Sequence, residues 1–92
     1  MLVRWTNPAA DDLSHICDYT EDRFGSLQAH RAAVAIYNAA DSLQQMPRRG
    51  RVGRKRDTLE IVMPGLPFVV IYRVGKDAIE IVRILHCAQQ WP

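Results

Sequence analysis

The sequence predicts an α+β fold: a helical hairpin packed on one face of a largely antiparallel sheet, in the order β-α-α-β-β-β. Three observations predict it. Residues 66–86 hold two runs of β-branched and aromatic residues on either side of Gly75-Lys76-Asp77, a β-hairpin pattern. Residues 8–46 hold two apolar stripes at helical spacing with only Gly25-Ser26 between them, which makes two antiparallel helices. Both strands of the hairpin are apolar on both faces, whereas a half-exposed strand alternates with polar residues. The hairpin is therefore expected at the centre of its sheet, with a cover on each face.

Taken in order, Leu2-Val3-Arg4-Trp5 reads as a short first strand. Thr6 or Asn7 caps the first helix, and Pro8 fits its first turn. Asp11 and Asp12 follow where the helix dipole favours negative charge. Ala9, Leu13, Ile16, Thr20 and Phe24 make the apolar face, and Gly25 ends the helix. Ser26 caps the second helix. Its stripe is Ala29, Ala33, Ile36, Ala40 and Leu43, widened by Ala32, Ala39 and Met46, and Pro47 stops it. Residues 47–57 have two glycines, many cations and little apolar content, and read as a loop. Residues 58–63 form a strand with Leu59, Ile61 and Met63 on one face and Glu60 and Val62 on the other. Pro64-Gly65 turns into the hairpin, where Phe68, Val70, Tyr72 and Val74 share a face opposite Val69, Ile71 and Arg73. In the last strand Ile79, Ile81 and Leu85 oppose Val82 and Ile84. The tail at 87–92 shows no clear element.

Ninety-two residues make a single domain, 1–92, with a modest core. The apolar fraction of 48% and charged fraction of 24% are those of a globular protein. No apolar run reaches the roughly 18 residues of a membrane helix, and no secretory signal is visible. Cys17 and Cys87 lack metal-ligand spacing and read as reduced thiols of a cytoplasmic protein. The net charge of +2 hides an asymmetry: residues 1–46 carry three basic and six acidic residues, residues 47–92 nine and four. Six of the twelve cations are Arg48, Arg49, Arg51, Arg54, Lys55 and Arg56, a patch suited to an acidic or polyanionic partner.

That loop is the first candidate for binding a target or nucleic acid, since guanidinium and ammonium groups neutralise phosphate and glycines let backbone N–H groups approach oxygens. The plain alternative is a solvated loop that serves solubility. Arg83, within an apolar strand, and His86, at that strand's end, are candidates for a cleft, where an imidazole could act as acid or base. The alternatives are an Arg83 paired across the sheet with Glu60 or Glu80, and a histidine that ends a strand. His15 and His30 lie on helices and carry no catalytic role. No Ser-His-Asp pattern, metal cluster, P-loop or dinucleotide fingerprint is present, so no metal or other cofactor is expected.

The chain resembles the RelE/ParE superfamily of toxins from bacterial type II toxin–antitoxin modules. The resemblance is carried by Trp5-Thr6-Asn7-Pro8-Ala9-Ala10-Asp11-Asp12-Leu13, by Pro47-Arg48-Arg49-Gly50-Arg51-Val52-Gly53-Arg54, by Leu66-Pro67-Phe68-Val69-Val70-Ile71-Tyr72-Arg73-Val74 and by the segment from Ile81 to Pro92. These pieces fall in family order over nearly the whole chain. The resemblance implies a growth-inhibiting toxin, associated with plasmid stabilisation, neutralised by a cognate antitoxin in a toxin–antitoxin hetero-oligomer. The antitoxin would supply the missing cover of the hairpin; the resemblance assigns it no contact residues.

Two targets follow from two branches of the family. RelE-like members cleave messenger RNA on the ribosome, and many carry an Arg just before an apolar-apolar-Tyr run in the third strand. Val69 stands there in this chain, and Trp91 stands where those nucleases often place a Tyr. ParE-like members poison DNA gyrase without nuclease residues. The hairpin and Arg83-Ile84-Leu85-His86 are closer to the ParE-like branch, which is favoured. In the alternative, a RelE-like endoribonuclease, the candidate catalytic residues are Arg83, His86 and Glu60; a third reading is a divergent toxin that retains only antitoxin binding.

Overall fold

The structure is a computed structural model and describes residues 1–87; residues 88–92, with Trp91 and the end of the expected tail, lie outside the described residues. Strand β1 (Leu2–Trp5) leads into helices α1 (Asn7–Phe24) and α2 (Ser26–Asp41), followed by β2 (Arg51–Val52), β3 (Leu59–Val62), β4 (Phe68–Val74) and β5 (Ala78–His86). The strands form one sheet in the order β1-β5-β4-β3-β2. β1 runs parallel to β5, and the other pairs are antiparallel. The β4–β5 hairpin is thus central, as its two apolar faces require. Both helices lie on one side, where Ala9, Ile36 and Ala40 pack with Val70, Tyr72, Ile79 and Ile81.

The helices depart from expectation at their edges. On α2 the buried residues are Ala29, Ala32, Ile36 and Ala40, while Ala33 is only half-buried. Steps of three, four and four keep a stripe centred on one side of a helix, and Ala33 falls at its flank. α2 ends at Asp41 and tightens into a 3-10 turn at Ser42–Gln44, well before Pro47. Met46 is therefore off the helix and 61% exposed. Phe24, the last residue of α1, stands at the tip of the helical hairpin and is 66% exposed instead of buried.

Ser26, expected as a cap, is the first residue of α2; the cap position is Gly25, with no side-chain bond. Gly25 has φ +90° and ψ 169°, a region essentially reserved for glycine. A Cβ there would meet nothing within 4 Å, so Gly25→Ala tests backbone strain alone. It is expected to cost about 1–3 kcal/mol, read as a lower urea midpoint with an unchanged m-value.

Loop 47–57 is not wholly irregular. Arg51 pairs with Glu60 and Val52 with Leu59, so β2 forms the short edge strand. In β5 the alternation also fails, for a definite reason. Ile71 pairs with Arg83 but Tyr72 pairs with Ile81, so Val82 is an extra residue, a β-bulge. A one-residue insertion inverts the facing of all that follows. Ile84 therefore joins Ile79 and Ile81 under the helices, while Leu85 joins Val69 and Ile71, the reverse of the simple alternation. That second cluster lies on the side away from the helices, yet Val69, Ile71 and Leu85 are completely buried. These three side chains are therefore already covered, while Val62, paired with Val69 on the same face, stays 46% exposed.

Candidate functional site

The basic loop is built, not merely solvated. Glu60, almost fully buried on β3, accepts from the Arg51 guanidinium (Nη2, 3.2 Å) and from the backbone N–H of Arg54 (3.0 Å). The Arg54 side chain adds an ion pair through Nε at 3.5 Å. The Gly50 N–H donates to the Tyr72 hydroxyl (3.0 Å), and a Cβ on Gly50 would stand 2.8 Å from that hydroxyl and from the Glu60 carbonyl oxygen. Burial pushes the Tyr72 hydroxyl above its ordinary pKa, against the opposing pull of the Gly50 N–H, Arg49 and Arg48. It stays protonated at neutral pH and serves as a fixed acceptor. Farther along, Gly53 N–H donates to the Thr58 carbonyl (2.8 Å), and the Thr58 hydroxyl donates to the Lys55 carbonyl (2.6 Å).

The six loop cations are consequently not equivalent. Arg51 and Arg54 anchor the loop on Glu60. Arg49 donates to the Ser42 hydroxyl at 2.6 Å. Arg48, Lys55 and Arg56 are exposed.

Arg83 is placed by a separate construction. β1 ends at Trp5, and the start of α1 takes over its position beside β5. The Thr6 N–H donates to the Ile81 carbonyl (3.0 Å), as a further strand residue would. The Thr6 hydroxyl donates to the carbonyl of the bulged Val82 (2.9 Å) and accepts from the Ala9 N–H (3.1 Å), so one side chain caps α1 and pins the bulge. A turn later Asp12 accepts from Arg83 Nε (2.7 Å), Arg83 Nη2 (2.9 Å) and the Ile84 N–H (2.9 Å). The side chains of Arg83 and Asp12 are only 20% and 14% exposed. Hydrogen bonding to Asp12, aided by its charge and opposed by burial, holds the guanidinium above its ordinary pKa. Arg83 is thus paired neither with Glu60 nor with Glu80; Glu80 lies 3.7 Å from Arg73 instead.

Glu60 and Arg83 sit in one row across the sheet, each paired with Ile71 from opposite sides. Two strand spacings separate their backbones by about 10 Å. His86 pairs with Phe68 and packs edge-on against its ring, with centroids 5.9 Å apart. Val69 is completely buried. Cys17 and Cys87 are unbridged, and burial pushes the Cys17 thiol up, with Asp18 and Glu21 adding to the effect.

Sequence reasoning missed two features. Asp12 reads in the sequence only as a first-turn helix-dipole residue, but α1 starts at Asn7 and carries no acid in its first turn, and the partner of Asp12 is 71 positions away. The other feature is an apolar groove between the second half of α1 and the beginning of β4. Ile16, Tyr19, Phe24, Pro67, Phe68 and Ile84 line it together with His15 and the candidate His86, and Tyr19 is 55% and Phe24 66% exposed. Its signal was present as Tyr19 and Phe24 on α1, but nothing local shows that the helix tip overhangs the sheet. No helix among the described residues is long and apolar enough to cross a membrane.

Residues 3–91 match the family described as ParE toxin of type II toxin–antitoxin system, parDE. Toxin RelE2 of Caulobacter vibrioides is 40% identical over 87 residues, spanning 95% of this chain and 96% of its own length. Y4kP of Sinorhizobium fredii, whose name also carries the word toxin, is 37% identical over 90 residues, 98% of this chain and 92% of its own. Among solved structures, a chain of the chromosomal ParDE TA system from P. aeruginosa matches with a TM-score of 0.87 and 30% identity, over 94% of this chain and 95% of that one.

Proposed function

The chain belongs to the ParE toxin family of type II toxin–antitoxin systems, and from that membership we propose that it acts on DNA gyrase and is silenced by an antitoxin segment seated in the apolar groove beside β4. The observation that carries the choice of target is the state of Arg83. A guanidinium that stabilises a phosphorane-like charge must be available to the phosphate. Arg83 instead spends Nε and Nη2 on Asp12, inside a clamp that also holds a strand N–H. Of the other nuclease candidates, Glu60 is the buried anchor of the basic loop, and His86, exposed at the end of β5, lies edge-on against Phe68. The position where many RelE-like nucleases carry an Arg is the buried Val69. A toxin that works by binding a protein needs none of these groups free.

The groove supports the antitoxin half of the reading. Exposed aromatic rings rimming an apolar concavity are the usual mark of a protein contact. A segment with apolar anchors would bury Tyr19, Phe24 and Phe68 together.

Purified toxin added to gyrase and supercoiled DNA is expected to give gyrase-dependent breaks, and no cut message when added to a translating extract. Ribosome-dependent cleavage of mRNA by the wild-type chain would overturn the choice of target.

A further inference from the structure

A second concavity lies at the other end of β4 from the antitoxin groove. This cleft of about 440 Å³ sits beside the basic loop, with Arg48 and Arg73 as its cations, Val52, Leu59 and Val74 as its apolar lining, and Asp57 within it. Phe68 and Val74 are the two ends of β4, six residue steps apart, so the two sites are separated by about 20 Å.

The cleft's composition is specific. Arg51, Arg54 and Arg49 are occupied by Glu60 and Ser42, which leaves Arg48 as the loop guanidinium that lines it. Arg73 comes from the sheet, and its contact with Glu80 is long (3.7 Å) between side chains 47% and 43% exposed, a pair easily exchanged for another carboxylate. Val52 is 85% exposed, in the middle of the most basic stretch of the chain. It stands on β2, the last strand of the sheet, held in register by the Arg51–Glu60 and Val52–Leu59 pairing. A loop that served only solubility would need neither a buried carboxylate to shape it nor a valine at its exposed edge.

We infer that this cleft docks an acidic segment of the target protein, one with an aliphatic side chain between carboxylates. Guanidiniums take carboxylates in bidentate fashion. The aliphatic residue would cover Val52, Leu59 and Val74, and Asp57 would set where the carboxylates cannot sit. Single-stranded nucleic acid fits less well, because its tolerant recognition relies on aromatic rings under the bases and, among the described residues, no aromatic side chain lines this cleft. The inference rests on the reading above that the toxin acts on a protein.

Three labelled probes of equal charge decide it by fluorescence anisotropy on the full chain: an acidic peptide with a central Glu-Leu-Glu, an all-Glu peptide, and a single-stranded RNA. The Leu-containing peptide is expected to bind tightest. Arg48→Glu with Arg73→Glu should weaken it by about tenfold or more. Val52→Asp should abolish the preference for Leu over all-Glu, while Arg31→Glu on α2 leaves binding unchanged. Melting temperature and antitoxin binding should hold in every variant. RNA binding tighter than either peptide, equal binding of the two peptides, or no response to the cleft substitutions would overturn the inference. So would loss of antitoxin binding in the Arg48/Arg73 variant, which would give the cleft to the antitoxin. The gyrase and mRNA assays fail or succeed separately, since the probes contain neither.

Discussion

Ile36→Asp is expected to unfold the chain. Ile36 is completely buried on α2, at the centre of the cluster that joins both helices to Val70, Tyr72, Ile79 and Ile81. The substitution removes an aliphatic side chain from a close-packed site and puts a carboxylate there among buried apolar neighbours. The lost packing alone is worth about 2–5 kcal/mol, by analogy with truncation of Ile to Ala. The buried polar group adds several more, whether it ionises without a partner or stays protonated without a full set of hydrogen bonds. A domain of this length has about 5–14 kcal/mol in total. Circular dichroism should therefore show loss of cooperative melting at neutral pH. Ile36→Val, which creates only a small void, should cost about 0.5–1.5 kcal/mol and keep a two-state transition. A wild-type melting temperature in Ile36→Asp would mean that this face of α2 is not core.

How much of this molecule was legible in its sequence depends on the range of the interaction concerned. The hairpin at 66–86, the two helices and the central place of β4 and β5 follow from periodicity, because each is decided by which side of a local element is apolar. The facing of Ile84 and Leu85 was not legible. It depends on the bulge at Val82, which is fixed by a hydroxyl from Thr6, 76 positions away. The loop was legible as charge but not as structure. Six cations in nine positions announce a patch, whereas the division between anchoring Arg51 and Arg54 and outward Arg48 requires knowing that Glu60 faces them. The role of Arg73 is hidden in the sequence for the same reason. Read along the strand it is a polar residue among apolar ones, and only the fold brings it across from Arg48.

Asp12→Ala is expected to cost about 3 kcal/mol, in the range measured when one member of a largely buried ion pair is removed. The substitution strands two groups at once: a guanidinium 20% exposed and the Ile84 N–H, each of which loses its acceptor. Because Asp12 also ties α1 to β5 where β1 has ended, the loss should appear as faster hydrogen exchange at Ile84 and its neighbours as well as a lower denaturation midpoint. Arg83→Ala should be costly too, since it leaves the Asp12 carboxylate with one donor among the three. The double variant should cost clearly less than the sum of the two singles, with a coupling of about 1–3 kcal/mol. The same variants read function. If Arg83 is a clamp between helix and sheet, growth arrest by Arg83→Ala should track the amount of folded protein and no more. It should then be restored by a stabilising change elsewhere or by a lower growth temperature. A chemical role predicts the opposite pattern: wild-type stability, intact antitoxin binding and a loss of about a hundredfold in rate. A folded Arg83→Ala chain that binds antitoxin and arrests nothing would return Arg83 to the reacting centre and the chain to the nuclease branch.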